Sequence, residues 1–451
     1  MNLYNTLTRR VEPLDCSDGI VNMYVCGITP YSSSHLGHAM CAVLFDVIRR
    51  YLEYKGFRVN HIQNFTDIDD KMIVAANETG VTVKDLAEEN IEAYLNELQI
   101  LNVLPATQYP KATEEIASIV KVIEGLIEKQ YAYEVNGDVY FRVRNDRNYG
   151  KLSRRNLDEM LSGARLEVDE SKEHPGDFAL WKSEKPGEPS WDSPWGKGRP
   201  GWHIECTAMS LGYLENRVDI HGGGLDLVFP HHENEIAQSE AYTGTEPFSR
   251  FWVHNGTLGY GEEKMSKSLG NVFTIQAALD VFTPESLRLF FVSSHYRSPL
   301  IFADESVYSQ GRAIDRLKNA MNASSGMGEE IDYNTYKNAF EESMDDDLNT
   351  PKALGVIFDL AREINRKASE GGNVETAQAV LADLLSVLGI DISSKTKHSG
   401  ELEPYIDLLI RLRTDLRDEK QFAMADKIRD ELSVLGIKLE DNEGATRWLK
   451  E

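Results

Sequence analysis

A strand–loop–helix–strand segment near the N-terminus constrains the fold of this chain more than any other feature. Residues 21–27, VNMYVCG, have the pattern of a buried strand, and residues 39–56 repeat apolar side chains at helical spacing. Residues 57–66, FRVNHIQNFT, then alternate as a second strand. Because two parallel strands need a crossover connection, usually a helix, the sequence predicts a βαβ unit and an α/β fold of the nucleotide-binding type.

The rest of the chain changes character from mixed α/β to helical. Two amphipathic helices are predicted within residues 81–131, and an irregular stretch rich in proline and glycine covers residues 184–201. The α/β pattern resumes at residues 217–224. Residues 275–435 have mostly helical periodicity, and residues 437–450 predict a terminal hairpin.

Composition excludes several classes of protein. At 451 residues, about three domains are expected. The longest apolar runs, such as AVLF at 42–45, fall far short of the roughly 20 residues of a membrane-spanning helix. The four cysteines are too few for a disulfide framework and form no CxxC pair. We therefore expect a cytoplasmic protein that has no membrane partner.

The charge balance limits how this chain could bind nucleic acid. Its 48 lysines and arginines oppose 73 aspartates and glutamates, a formal net charge of -25. Such a chain is a poor sequence-independent DNA binder, because that kind of binding depends on many phosphate contacts. Any nucleic acid must be bound by a local patch.

A pair of histidines follows the first predicted strand, in the motif His35-Leu-Gly-His38. Spaced three apart at the start of a helix, they would share one face, where free backbone N–H groups favour a phosphate. Gly37 carries no side chain to keep a flat nucleobase from the backbone. Simple capping of the helix is an equally good interpretation of the histidines alone.

Two lysines occur in the loop sequence KMSKS, about 230 residues downstream. Lys264 and Lys267 carry compact charges on long stems, which suit the negative charge that develops on phosphate during its transfer. Taken alone, a solvated basic loop is the simpler interpretation.

Four further side chains have the chemistry of metal ligands. Cys26 closes a predicted strand, Cys206 belongs to a distant segment, and His231 and Glu235 are four residues apart on one helix face. Two sulfurs, an imidazole and a carboxylate could hold zinc. Their spacing is not that of a zinc finger, and buried structural cysteines remain the alternative.

Together, HLGH and KMSKS resemble the signature of class I aminoacyl-tRNA synthetases. Four further stretches resemble the cysteinyl-tRNA synthetase family within that class: 24-YVCGITPY-31, 64-NFTDIDDK-71, 201-GWHIEC-206 and 219-DIHGGGLDLVFPHHENE-235. The resemblance extends over essentially the whole chain. One departure is that Met40 and Cys41 follow HLGHA where relatives commonly carry an arginine first.

The resemblance implies a fold class and a domain order. The fold is a Rossmann-type α/β catalytic domain with a connective insertion, followed by an all-α helical bundle and a small C-terminal anticodon-binding domain. The implied segments are the first half of the catalytic domain (1–105), the insertion (106–200), the second half with the zinc ligands (201–245), the KMSKS and stem-contact region (246–310), the bundle (311–400) and the anticodon-binding domain (401–451).

The resemblance also implies an activity, ligands and site residues. ATP, acting with Mg²⁺, would activate L-cysteine, which would then pass to tRNA(Cys), and one Zn²⁺ per chain would select the substrate thiol. We expect a monomer. The implied residues are His35, His38, Lys264 and Lys267 for catalysis; Gly37, Gly222, Gly223, Gly224 and Lys267 for ATP; Thr66, Trp202, His221 and Asp226 for cysteine; Trp448 for tRNA; and Cys26, Cys206, His231 and Glu235 for zinc.

Three other functions remain open from the sequence alone. A relative that joins cysteine to an amino sugar in mycothiol synthesis shares the zinc and ATP chemistry. A non-catalytic zinc- or RNA-binding descendant would have no need for both KMSKS lysines. A zinc hydrolase would need an open metal position for water.

Overall fold

The computed structural model of the protein describes residues 1–156, 171–215, 217–260, 263–264, 273–392, 399–418, 420–434, 436–442 and 445–450. The chain divides into two compact units, Met1–Asp391 and Ile392–Glu451. Among the helices so described, none is long and apolar enough to cross a membrane.

The N-terminal segment forms the predicted βαβ unit. Its elements are β1 (Asn2–Asn5), β2 (Arg10–Pro13), β3 (Ile20–Val25), α1 (Leu36–Tyr54) and β4 (Arg58–Gln63). Strands β3 and β4 run parallel, with Ile20 opposite Arg58 and Val25 opposite Gln63, and α1 connects them. The apolar face of α1 is buried, which explains the helical spacing in the sequence. The predicted βαβ unit is confirmed.

An insertion of helices and an antiparallel sheet follows. Its elements are α2 (Asp70–Thr79), α3 (Val83–Ile100), α4 (Ile116–Glu128), β5 (Ala132–Val135), β6 (Asp138–Phe141), β7 (Phe178–Ser183) and β8 (Gly198–Pro200). The four strands pair in the order β5-β6-β7-β8. Ile119, Val139 and Trp181 are fully buried in the core that α4 shares with this sheet.

The parallel sheet is completed after the insertion. Its remaining elements are α5 (Trp202–Tyr213), β9 (Val218–Gly224), α6 (Glu233–Thr243) and β10 (Ser249–Asn255). The strand order is β10-β9-β3-β4, and every neighbouring pair is parallel. The carboxyl ends of all four strands therefore meet at one edge, which is where ligands bind in open α/β sheets.

A smaller sheet and two helices lie between the parallel sheet and the bundle. They are β11 (Leu258–Tyr260), β12 (Glu263–Lys264), α7 (Ile275–Leu279), α8 (Pro284–Val292) and β13 (Leu300–Phe302). Strand β11 pairs with β12 antiparallel and with β13 parallel. Both α7 and α8 begin at a threonine, Thr274 and Thr283, whose side chain accepts a hydrogen bond from the first turn.

Four helices form the predicted bundle at the end of the first unit. They are α9 (Asp304–Met321), α10 (Tyr333–Asp345), α11 (Thr350–Ser369) and α12 (Glu375–Val387). Each buries one face, and Leu317, Phe340, Ile357 and Leu381 are among the fully buried side chains. The helical periodicity of this region is thus explained by packing of amphipathic helices.

The described residues of the second unit form two helices and a hairpin. They are α13 (Ser399–Asp418), α14 (Phe422–Val434), β14 (Ile437–Asn442) and β15 (Ala445–Lys450). The strands pair antiparallel, with Ile437 opposite Lys450 and Leu439 opposite Trp448. The predicted terminal hairpin is confirmed, while the side chain of Trp448 lies outside the described part of the chain.

Candidate active site and metal centre

Four predicted metal ligands meet at the carboxyl edge of the parallel sheet. Cys26 directly follows β3, Cys206 lies on α5, and Glu235 lies in the first turn of α6. His231 belongs to a π-helical turn, Val228–His232, that leads into α6. Strand β3 is central in the sheet, so its end brings Cys26 under the helices that carry the other three.

The donor atoms of these four residues are close together and buried. The Sγ atoms of Cys26 and Cys206 are 3.8 Å apart, and Cys26 Sγ lies 3.4 Å from Glu235 Oε1. The same carboxylate oxygen is 3.1 Å from His231 Nε2. All four donor atoms lie within 4.8 Å of one another. Cysteine sulfur, imidazole nitrogen and carboxylate oxygen are the ligand types of zinc, so this donor set fits that ion.

A second donor set overlaps the first. His221 and His232 join Cys26 and Glu235, again with all four donor atoms within 4.8 Å. His221 Nε2 lies 3.7 Å from Cys26 Sγ and 3.2 Å from Glu235 Oε2. His221, which the family resemblance implied as a cysteine-binding residue, is fully buried under the stacked ring of Trp252. The first set, having two sulfurs, matches zinc more closely.

The electrostatics of the cluster favour the ionised forms of Glu235 and Cys206, but not of Cys26. Burial disfavours charge on Glu235, but the imidazoles of His221 and His231 hold its pKa well below the usual value. Burial also opposes a thiolate at Cys206, yet its hydrogen bond with Cys26 and the nearby His231 lower its pKa to about 6. Burial raises the pKa of Cys26 well above its usual value. A thiolate and a carboxylate thus lie side by side, as a divalent cation requires.

The acidic neighbours of His231 favour its protonated form. Burial lowers the pKa of an imidazole, but the neighbouring Glu235 and Cys206 raise that of His231 to about 10. The two acidic neighbours therefore favour a proton on His231. A bound cation would release that proton.

Several histidines surround this cluster that the sequence interpretation did not select. His203 Nδ1 lies 2.9 Å from His231 Nδ1. His232 Nδ1 lies 2.7 Å from His254 Nε2, and His254 Nδ1 lies 2.8 Å from the hydroxyl of Thr6. The one available signal for His203 was its position on the same helix, three residues before Cys206.

The HLGH motif caps helix α1. His35 Nδ1 accepts a hydrogen bond from the Gly37 N–H at 3.1 Å, and the His35 N–H donates to His38 Nδ1 at 3.4 Å. The two rings stack with centroids 3.7 Å apart. The capping interpretation of these histidines is therefore realised, and it leaves the phosphate role a prediction.

The HLGH segment pairs with the chain that leaves the KMSKS loop. The Leu36 N–H donates to Phe273 O at 3.0 Å, and the Ile275 N–H donates to Ser34 O at 3.0 Å. The chain at Phe273–Ile275, which follows the KMSKS motif in sequence, therefore lies beside HLGH. Lys264 ends β12, but its side chain is outside the described part of the chain, as is the whole of Lys267.

The glycines of 222-GGG-224 are explained first by packing. A Cβ atom on Gly222 would lie 2.1 Å from the ring of Phe45 on α1, and one on Gly223 would lie 2.8 Å from Leu227. Both distances are well below contact distance, so a side chain would push α1 or the following turn away. The ATP role of Gly222, Gly223 and Gly224 stays a prediction.

The remaining implied cysteine-binding residues lie at the same edge of the sheet or beside it. Thr66 follows β4, is buried, and accepts a hydrogen bond from Asn64 at 3.4 Å. Trp202 begins α5, is 41% exposed, and places its ring centroid 4.4 Å from that of His231. Asp226 is exposed in the turn Leu225–Leu227 after β9.

Comparison with known proteins identifies the family. A family model described as "tRNA synthetases class I (C) catalytic domain" matches residues 13–311, and one described as "DALR domain" matches residues 339–393. A cysteine–tRNA ligase of Dehalococcoides mccartyi is 53% identical over 455 residues, with 99% of each chain covered. The chain belongs to the cysteine–tRNA ligase family. The cysteine–tRNA ligase of Carboxydothermus hydrogenoformans is 48% identical over 465 residues, again with 99% of each chain covered.

Family membership confirms the resemblance found in the sequence. A second Dehalococcoides mccartyi strain has a cysteine–tRNA ligase that is 52% identical over 455 residues and 99% of each chain. The amino-sugar ligase is therefore not favoured, and neither is the non-catalytic relative.

Solved structures confirm the fold class. Methionyl-tRNA synthetase of Mycobacterium tuberculosis, in complex with methionyl-adenylate, superimposes with a TM-score of 0.60 at 15% identity. The match covers 82% of this chain and 89% of that one. A second structure of that enzyme, bound by methionyl-adenylate, gives a TM-score of 0.57 at 16% identity over the same shares of the two chains. The fold of this chain is thus that of a Rossmann-type catalytic domain, in agreement with the class I family model.

Proposed function

We propose that this chain activates L-cysteine with ATP and transfers it to the 3′ end of tRNA(Cys). The observation that carries the proposal is the buried Cys26, Cys206, His231 and Glu235 cluster at the carboxyl edge of a sheet that also carries HLGH. A site for a thiol thus shares the carboxyl edge of the sheet with the HLGH histidines. Membership of the cysteine–tRNA ligase family supports the same activity.

We assign Cys26, Cys206, His231 and Glu235 to one Zn²⁺ per chain. Bound zinc would offer a position that a thiolate occupies far better than an alcohol does, which favours cysteine over serine. An ordinary pocket built only from side chains rejects an isostere that differs by a hydroxyl by about 100-fold. The chain's part is to present two sulfurs, one imidazole and one carboxylate in a buried cluster.

We propose that the α-phosphorus of ATP and the carboxylate of cysteine meet near the HLGH motif. We assign His35 and His38 to the triphosphate, which Mg²⁺ would accompany, and Gly37 to close approach of the adenine. Lys264 and Lys267 would stabilise charge on the departing pyrophosphate. Little proton transfer is needed, because the carboxylate of cysteine attacks the α-phosphorus and pyrophosphate leaves.

The substrate amino acid needs partners beyond its sulfur. We assign Asp226 to its ammonium group, since a carboxylate is the natural ion-pair partner. We also assign Thr66, Trp202 and His221 to the binding of cysteine. The half-exposed ring of Trp202 contacts His231.

The tRNA contacts are assigned to the second unit. Residues 401–451 hold 9 lysines and arginines against 13 aspartates and glutamates, so attraction by net charge is not the basis of binding. We propose that Trp448, on β15, stacks on a single-stranded base of the anticodon.

His203→Ala is expected to weaken zinc binding by about 10- to 100-fold, because a ligating imidazole is oriented by the partner of its other ring nitrogen. His203 Nδ1, 2.9 Å from His231 Nδ1, is that partner. Competition against a chromophoric zinc chelator measures the change. His203→Asn, whose side-chain oxygen occupies nearly the same place as Nδ1, is expected to retain most of the affinity. Unaltered affinity in His203→Ala would contradict the assignment.

One assay tests the whole proposal. Purified protein is incubated with ATP, Mg²⁺, tRNA(Cys) and either cysteine or serine, before and after zinc is removed by a chelator. Cysteine should be attached to the tRNA by the zinc-containing protein, serine should be attached at a rate at least about 100-fold lower, and re-added zinc should restore the activity. Full charging by zinc-free protein would overturn the zinc assignment, and absence of charging in every sample would overturn the activity.

A further inference from the structure

Two exposed cations lie on aromatic rings at the carboxyl edge of the parallel sheet. The guanidinium of Arg155 lies 4.9 Å from the ring centroid of Phe229, in the connection that follows β9. The ammonium of Lys71, on α2 after β4, lies 5.7 Å from the ring centroid of Tyr31. Strands β9 and β4 flank β3, which leads directly into Cys26. We call Arg155 and Lys71 the edge cations.

The charge of the edge cations is not neutralised by a neighbouring carboxylate. Within the described parts of the chain, neither of them forms an ion pair. Asp70, next to Lys71 in the sequence, pairs instead with two cations of the insertion sheet, and Asp69 accepts a hydrogen bond from the Met72 N–H at 2.7 Å. An aromatic ring attracts a cation but leaves its N–H groups free to donate. In a chain of net charge -25, these donors are available to an anion.

The segment that carries Arg155 is fixed to the helix that supplies a metal ligand. Glu233, in the first turn of α6, is 1% exposed. Its Oε1 accepts hydrogen bonds from the Gly150 N–H at 3.1 Å and the Leu152 N–H at 3.2 Å. Its Oε2 accepts one from the Ser153 N–H at 2.7 Å. Because hydrogen bonds to an ionised carboxylate are among the strong ones, the position of Arg155 is tied to that of the metal ligands.

An RNA single strand is an anion that has to reach this edge of the sheet. Under the proposed function, the 3′ end of tRNA approaches the activated carboxyl group of cysteine, and each nucleotide brings one phosphate. The net charge of the chain repels this strand, so attraction depends on local cations. The triphosphate of ATP, the other anion at this edge, is already assigned to HLGH and KMSKS.

We propose that Arg155 and Lys71 bind phosphates of the single-stranded 3′ end of tRNA and hold that end at the site. This inference rests on the proposed tRNA charging. Arg155 offers a planar fork of N–H donors that fits two phosphate oxygens, and Lys71 offers a compact point charge. Activation of cysteine requires only ATP and the amino acid, so it does not depend on the edge cations.

The test removes each charge in the full-length zinc-containing protein. Arg155→Gln and Lys71→Gln should each lower kcat/KM for tRNA charging about tenfold, because each loses a charge-assisted contact. Cysteine-dependent exchange of pyrophosphate into ATP should stay within about twofold of wild type. Arg155→Lys, which retains the charge, should keep charging within about threefold of wild type. Arg362→Gln, which removes an exposed arginine of α11 that pairs with Asp359, is the matched control and should change neither reaction.

Salt dependence and a truncated tRNA provide readouts that a purely structural role would not change. One phosphate contact on a single strand contributes about 0.7 to the slope of log affinity against log salt concentration, so each Gln variant should lose about that much of the slope for intact tRNA. A tRNA from which the single-stranded 3′ nucleotides have been removed should bind the variants and the wild type equally.

Three outcomes would overturn the inference. The first is a loss of pyrophosphate exchange as large as the loss of charging, which would mean that the edge cations serve ATP or folding. The second is unchanged charging in both Gln variants. The third is weaker binding of the truncated tRNA by the variants, since the contacts would then lie with the body of the tRNA. Failure of the wild-type protein to charge tRNA would instead overturn the proposed function.

Discussion

Cys206→Ala is expected to lose its zinc and to activate cysteine at least about 100-fold more slowly than the wild type. Mutating a residue that only supports a metal ligand typically costs up to about 100-fold in metal affinity or activity. Loss of a direct ligand should cost more. Cys206 supplies the thiol with the lowered pKa, and its Sγ lies 3.8 Å from that of Cys26. Elemental analysis measures the metal, and cysteine-dependent pyrophosphate exchange measures the activity.

Cys16→Ala is the matched control for this prediction. Cys16 is also buried, but it contacts Arg250 and belongs to neither donor set. The control should keep one zinc per chain and full activity. The zinc assignment would be wrong if Cys206→Ala kept both its metal and its rate.

Lys267→Ala is expected to slow formation of cysteinyl-adenylate by about 10²- to 10³-fold, the usual cost of removing one group that stabilises charge in a transition state. Cysteine affinity should stay within about twofold, because the lysine is assigned to the pyrophosphate and not to the amino acid. Single-turnover adenylate formation and equilibrium binding of cysteine measure the two quantities separately.

Lys185→Ala provides the comparison for Lys267→Ala. Lys185 is exposed in the connection between β7 and β8, and its loss removes the same charge from the chain. Its adenylate formation should equal that of wild type. A raised KM with an unchanged kcat in Lys267→Ala would show that the lysine contributes uniform binding instead of transition-state stabilisation.

Local patterns predicted the elements of this fold well. The strand, helix and strand at 21–66 became β3, α1 and β4, and the alternation at 437–450 became the β14–β15 hairpin. Both follow from side-chain periodicity, which is a property of neighbouring residues. The order of strands in the sheet, β10-β9-β3-β4, had no such signal, because it depends on contacts between distant segments.

Some contacts of the candidate site could be predicted from local spacing, and others required the folded chain. The close approach of His231 and Glu235 follows from their spacing of four residues, and the structure has their side chains 3.1 Å apart. The approach of Cys26 to Cys206, the burial of His221 between the donors, and the contact of His203 with His231 required the folded chain. Spacing alone favoured buried structural cysteines over zinc ligands for the two sulfurs.

The sequence by itself determined the helices and strands, the fold class and the family. Periodicity predicts the elements and short motifs indicate the family, and both are properties of residues close together along the chain. Only the tertiary structure decided which distant parts of the chain meet: the two donor sets around Glu235 and the backbone pairing of HLGH with the chain after KMSKS. Cys26 and Glu235, for example, are 209 positions apart, and no local property of the chain specifies their approach.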